Sequence, residues 1–114
     1  MPLVSLNLAR KHLHVDDPED DEMVLFYLAA AEDAAFDFMG RKAYADDAAL
    51  AAAVAAGTAG ERPIVAKPTI LAAVLLMLGH LWENREDSVI GVSAVELPKG
   101  SRTLLNPSRI GMGV

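Results

Sequence analysis

Apolar residues recur along this chain at helical spacing, and the longest such run gives the domain its centre. From Pro68 to Asp87 the sequence reads PTILAAVLLMLGHLWENRED. At about 100° per residue, Leu71, Val74, Met77, Leu78, Leu81 and Trp82 share one broad face, and Leu76 falls on the other side. A helix that is apolar on nearly every side is surrounded by other elements. Pro68 suits the first helical position. His80, Glu83, Asn84, Arg85, Glu86 and Asp87 make its far end polar. The pattern predicts a central helical pillar over residues 68–87.

Shorter segments precede it. Ser5 caps a predicted helix from Leu6 to His14, with Leu6, Ala9 and Leu13 on one face and Arg10 and Lys11 outside. A second helix begins at Pro18 or Glu19, with Asp17 as its N-cap. Glu19, Asp20, Asp21 and Glu22 fill its first turn, where the helix dipole favours negative charge. It runs to about Met39 and stops at Gly40, with Arg41 and Lys42 just past its negative end. Val24, Tyr27, Leu28, Ala31, Ala35 and Phe38 form the inner face; Glu22, Asp33 and Asp37 mark the outer one. Phe26 also falls on the outer face, out of place for a large aromatic. Asp46 or Asp47 caps an alanine-rich third helix, Ala48 to Ala56, which Gly57-Thr58-Ala59-Gly60 ends.

After Asp87 the periodicity lapses. Val89 to Val95 reads as a short extended arm, Ser101 to Leu105 as one helical turn before Pro107, and Ile110 to Val114 as unanchored. The expected fold is all-α: a small bundle of three or four helices around the central apolar helix in residues 1–87, with an extended C-terminal arm over residues 88–114.

Composition narrows the function. A chain of 114 residues holds one core of ordinary size. Hydrophobic residues make up 53%, but aromatics only 5%, so contacts should be helix on helix through small side chains. With no cysteine there is no disulfide, thiol catalysis or cysteine metal site. No basic region followed by an apolar run opens the chain, and the pillar is too short to span a bilayer, so a soluble intracellular protein without a membrane partner is expected. The net charge of −6 argues against a protein that coats nucleic acid. It is compatible with one that lets DNA pass without holding it. Residues 1–57 hold eleven of the sixteen acids and four of the ten basic residues, whereas from Ser88 onward Glu96 stands alone against Lys99, Arg102 and Arg109. An acidic body and a weakly basic tail meet different surfaces.

Candidate chemistry is sparse. The acidic run DDPEDDE lacks calcium-loop spacing and reads as an N-cap with first-turn carboxylates. His12, His14 and His80 are surface or interface histidines, since His80 with Glu83 is a weak zinc pattern. No nucleophile motif or phosphate loop is present, and no basic recognition helix. No cofactor, metal or catalytic residue is expected. Arg85 projects on the same side as Leu78 and Leu81, so its charge needs a carboxylate partner. That partner is either an acid of the same chain, near Asp16 or Asp20, or one across a subunit boundary.

Several stretches resemble the head–tail connector (adaptor) proteins of long-tailed phages. The first is Leu8-x-x-Lys11-His12-Leu13-x-Val15-Asp16 with Glu19-Asp20-Asp21 and Tyr27-Leu28-x-Ala30-Ala31. The second is the apolar helix ending His80-Leu81-Trp82-Glu83-Asn84-Arg85-Glu86. The third is Leu97-Pro98-x-Gly100 followed by Leu104-Leu105-x-Pro107-x-Arg109. The order covers nearly the whole chain, although Ala43 to Gly60 and the residues after Arg109 match nothing. The resemblance implies a non-enzymatic virion protein that forms a ring, a dodecamer, beneath the portal protein. Such a ring continues the DNA channel without reading sequence and docks a tail-side connector or stopper. It assembles in the host cytoplasm, from a phage, prophage or gene-transfer particle. Phe26, His80, Glu83, Arg85 and Glu86 are then candidates for the subunit interface, and Leu97, Pro98, Leu104, Leu105 and Arg109 for the arm that meets a neighbour or the portal. The alternatives are a small α-helical regulator that binds another protein through its apolar tail, and a metal-dependent hydrolase in which His80, Glu83 and the acidic run converge. Arg85→Ala separates the two readings of Arg85: loss of assembly by a folded monomer in size measurements supports the boundary, and plain unfolding supports the internal pair.

Overall fold

The computed structural model describes residues 3–84 and 99–110. Five α-helices account for most of them: α1 (Leu6–Leu13), α2 (Asp21–Met39), α3 (Asp47–Ala56), α4 (Pro68–Glu83) and α5 (Lys99–Leu105). Two short strands, β1 (Ala43–Tyr44) and β2 (Ile64–Val65), pair in parallel. The all-α expectation holds.

Local chemistry sets the helix ends. Ser5 Oγ accepts the Leu8 N–H at 3.1 Å, and the Asp46 carboxylate accepts the Ala49 N–H at 2.8 Å. Asp17 accepts the Glu19 N–H at 2.9 Å, but what it caps is a 3₁₀ turn, Pro18–Asp20. α2 proper therefore starts at Asp21, later than the cap alone suggests. Gly40 closes α2 at φ +72°, the left-handed region that a side chain would strain. At the end of α4, the Asn84 N–H and Nδ2 both donate to the His80 carbonyl, at 3.2 and 2.9 Å. The predicted continuation to Asp87 lies outside the described residues.

α4 is the pillar. Ile70, Ala73, Val74, Met77, Leu78 and Leu81 are buried, Leu71 and Trp82 partly so, and Leu76 is exposed as its phase requires. On one side Tyr27 of α2 meets Trp82 edge-on, with ring centroids 6.0 Å apart. On another, Ser101 Oγ of α5 donates to the Ala73 carbonyl at 3.0 Å. Ala73 and Trp82 are nine residues apart, about two and a half turns. α2 and α5 therefore cover opposite faces of α4. α1 covers a third at Gly79, where an added Cβ would lie 3.2 Å from His12 Nε2.

Three features depart from the sequence reading. Arg10, expected outside, turns back to hold the link between α1 and α2: Nη2 donates to the Asp16 carbonyl at 2.6 Å, and Nε lies 3.5 Å from Asp21 Oδ1. The strand pair was not expected, because two-residue strands leave no periodicity; Ile64 N–H to Lys42 O (3.1 Å) and Ala66 N–H to Tyr44 O (2.8 Å) extend it. Residues 99–110 belong to the bundle. Leu105 is fully buried with Ser101, and the Ile110 N–H donates to the Met39 carbonyl at 3.0 Å, so Ile110 is anchored. The apolar side of α5 fills the flank of α4 that α1 and α2 leave open. Val89 to Val95 lies outside the described residues.

Leu105→Ala should therefore cost about 2–5 kcal/mol, the usual loss for emptying a core leucine site. Urea denaturation of the full chain reads this directly; an unchanged midpoint would mean that α5 is dispensable to the core.

Candidate assembly surfaces

The outer face of α2 is the first candidate. Phe26 is 63% exposed, with Met23 and Leu25 exposed beside it. Farther along, Ala29, Asp33 and Asp37 are also exposed. The face thus passes from apolar to acidic. Phe26 touches its own chain edge-on at Tyr27, at 5.4 Å between centroids. Tyr27 in turn meets Trp82, so an aromatic row runs from this surface to the end of α4.

Of the other interface candidates, His80 does not join Phe26 in one patch. His80 and Glu83 are both exposed. His80 is two residues before Trp82, about 200° around the helix. It therefore faces away from the side of α4 that carries Tyr27. Arg85 and Glu86 lie outside the described residues, as do Leu97 and Pro98 of the arm candidates. Leu104 is partly buried against the core, and Leu105 is wholly inside it. Leu105 is thus corrected from a neighbour-contacting residue to a core residue in this conformation. Arg109 is exposed, with its guanidinium 4.5 Å from the centroid of the Phe38 ring, a cation–π contact.

Charge differs between the two ends of the bundle. The turn before α2 and its first residues place Asp16, Asp17, Glu19, Asp20, Asp21 and Glu22 together. α4 runs antiparallel to α2, since Tyr27 near the start of α2 meets Trp82 near the end of α4, while β1 after α2 pairs with β2 before α4. Glu83 accordingly joins the acidic end. The opposite end is mixed in sign: Arg41, Lys42, Arg62, Lys67 and Arg109 stand among Asp37, Asp46, Asp47 and Glu61. Arg41 ties this end together, donating from Nε to the Arg62 carbonyl at 2.7 Å and from Nη1 to the Ser108 carbonyl at 3.4 Å. The length of α2, 19 residues, separates the ends by roughly 28 Å.

Glu32 was not expected to matter. It is 7% exposed on the inner side of α2, where its Oε2 accepts the N–H groups of Leu3 and Val4 at 2.7 and 3.4 Å. This carboxylate pins the segment before α1 to the bundle. Burial raises its pKa above the ordinary 4.5, outweighing the opposite pull of the two amides. The signal in the sequence was its phase: Leu28, Glu32, Ala35 and Met39 step along one helical stripe, and all four are buried.

Among the described residues, no three His, Asp or Glu side chains gather in a group able to hold a metal ion. No described helix is long and apolar enough to cross a membrane.

The chain is thus a small helical domain with a closed core, an exposed aromatic side chain at Phe26 and an acidic end. The chain belongs to the phage gp6-like head-tail connector protein family, whose model matches residues 4–109, from the turn before α1 to the turn after α5. It is thus a structural component of the connector between phage head and tail, located at that junction in the virion. No curated protein and no solved structure matches the chain.

The raised pKa of Glu32 has a pH signature. The folded chain binds the proton more tightly than the unfolded chain. The stability that Glu32 contributes is therefore complete below 4.5 and is lost as pH rises through the higher folded value. The melting temperature of the wild type should rise relative to Glu32→Gln as pH is lowered from about 7 to about 4, past the ordinary carboxylate value. A difference between the two chains that stays flat across this range would contradict the assignment.

Proposed function

We propose that this chain assembles as a ring, a dodecamer, that seats beneath the portal protein, continues the DNA channel and presents a docking surface to the next tail-side connector or stopper. Membership of the connector family over residues 4–109 carries this reading. The exposed patch around Phe26 supports it, because a contiguous apolar surface on a small helical protein marks a contact with another protein. Phe26 and Glu83 belong to the subunit contact. His80, on another side of α4, serves a second contact. Arg85 and Glu86 follow Asn84 directly and extend the first. Leu97 and Pro98, together with exposed Arg109 and half-buried Leu104, are the portal- or neighbour-facing part of the C-terminal segment.

DNA passes without sequence-specific binding. A net charge of −6 repels phosphates, so the strand slides through rather than sticking. The chain works in DNA packaging and retention as a wall, not as an enzyme. It assembles in the host cytoplasm, from a phage or prophage source, before joining the particle.

Purified protein should form rings visible by negative stain, and its mass by light scattering should climb over a concentration series. A chain that remains monomeric at every concentration would overturn the ring.

A further inference from the structure

The exposed Phe26 side chain has a matching cavity on the same chain. Between α2, the segment before α1, β1 and α3 lies a cavity of about 370 Å³, walled by Leu3, Phe36, Tyr44, Ala49 and Ala52. Glu32 and the exposed Lys42 supply its polar atoms. Phe26 cannot fill it within one molecule. Phe36, the cavity residue on the same helix, is ten residues farther on, about 15 Å along the axis.

We propose that Phe26 of one copy seats in this cavity of a second copy, joining subunits head to tail. The proposal rests on the ring reading above and names the surfaces that build the ring. Size, chemistry and charge favour a second copy as the occupant. The cavity admits a phenyl ring with the edge of Met23 or Leu25. Phe36 and Tyr44 offer aromatic partners for edge-to-face or offset packing. Glu22, one turn before Phe26, is exposed and opposite in charge to Lys42, which is exposed at the cavity and donates from Nζ to the Thr58 carbonyl at 3.5 Å, so seating the ring brings acid to base. Copies standing side by side with like ends together would instead oppose acid to acid. Knob and cavity are different surfaces, so the contact is heterologous. Any open chain of subunits keeps one free knob and one free cavity until a ring closes.

Two variants test this. Phe26→Asp removes the knob, and Ala49→Trp fills the cavity. Each alone should be monomeric, by light scattering, at concentrations where the wild type forms rings. Mixed in equal amounts, they should yield a one-to-one heterodimer and nothing larger, because one intact knob and one intact cavity remain. Rings formed by either variant alone would leave the ring reading standing and overturn this seat. A wild type that is monomeric at every concentration, or that stops at a dimer, would overturn the ring reading and the head-to-tail contact with it. Thermal melts establish that both variants fold. If Ala49→Trp does not, Met23→Cys and Ala49→Cys chains, both of which keep Phe26, mixed under oxidation give a second readout, clean because the natural chain has no cysteine. A disulfide between the two chains supports the seat, and its absence overturns it.

Discussion

Everything in this structure depends on covering the apolar faces of α4, which leaves the stripe through Ala72, Leu76, His80 and Glu83 to solvent. A helix with Ile70, Val74, Met77, Leu78 and Leu81 buried, and Leu71 and Trp82 half-buried, cannot be stabilised by one neighbour. Three helices close around it, and small residues set how near they come. Gly79 admits His12 of α1, and the Ala73 carbonyl is reached by Ser101 of α5. Gly100 lies where an added Cβ would come within 3.3 Å of Leu76 Cδ1. Ser101 is fully buried, and its hydroxyl is satisfied by a carbonyl that a helix interior does not normally share. This explains why the C-terminal residues 99–110 are part of the bundle. Without Leu105 and its neighbours, the Ala73 side of α4 would face water.

Once the core is closed, Phe26 cannot be regarded as surplus core. The inner stripe of α2 is already complete with Val24, Leu28, Ala31, Ala35 and Met39. A large aromatic on the opposite face contributes nothing to the monomer beyond its edge contact with Tyr27. On the proposed contact its burial comes from another molecule, a gain available to assembly rather than to folding. The same separation holds for Glu32 and Arg10, which act inward. One pins the segment before α1, and the other holds the α1–α2 link. Arg41 acts in the same way at the other end of the bundle, bonding the Arg62 and Ser108 carbonyls.

The helices were legible because period and caps agreed: Ser5, Asp46, Gly40, Gly57 and Pro68 all fall where the apolar stripes begin or end. The outward placement of Phe26 followed from phase alone. Glu32 is hard to pick out because an acid is ordinarily a surface residue, and only its phase with Leu28 and Ala35 marks it as inward-facing. α5 was read as part of an arm because a seven-residue helix shows barely two turns of pattern, too few to mark a buried face. The cations of the mixed end were invisible as a group for a different reason. Arg41, Lys42, Arg62, Lys67 and Arg109 are scattered over almost seventy positions, and only the antiparallel course of α2 and α4 brings them together. The family was legible from short patterns at both ends of the chain, and the match over residues 4–109 includes the alanine-rich middle that those patterns left out.

A net charge of −6 describes this protein poorly, because it averages two unlike ends. On the proposed ring with its DNA channel, a connector would have two electrostatic tasks that conflict in a uniform surface: adhering to other proteins and not adhering to DNA. Uniform acidity would keep DNA sliding but would set every subunit against the next. On the proposed head-to-tail contact, the exposed Lys42 of one copy meets the acidic end of its neighbour, and that cation is neutralised inside the interface. A ring built in this way would show DNA a more uniformly negative wall than any single subunit does, so that assembly itself would create the surface on which DNA slides.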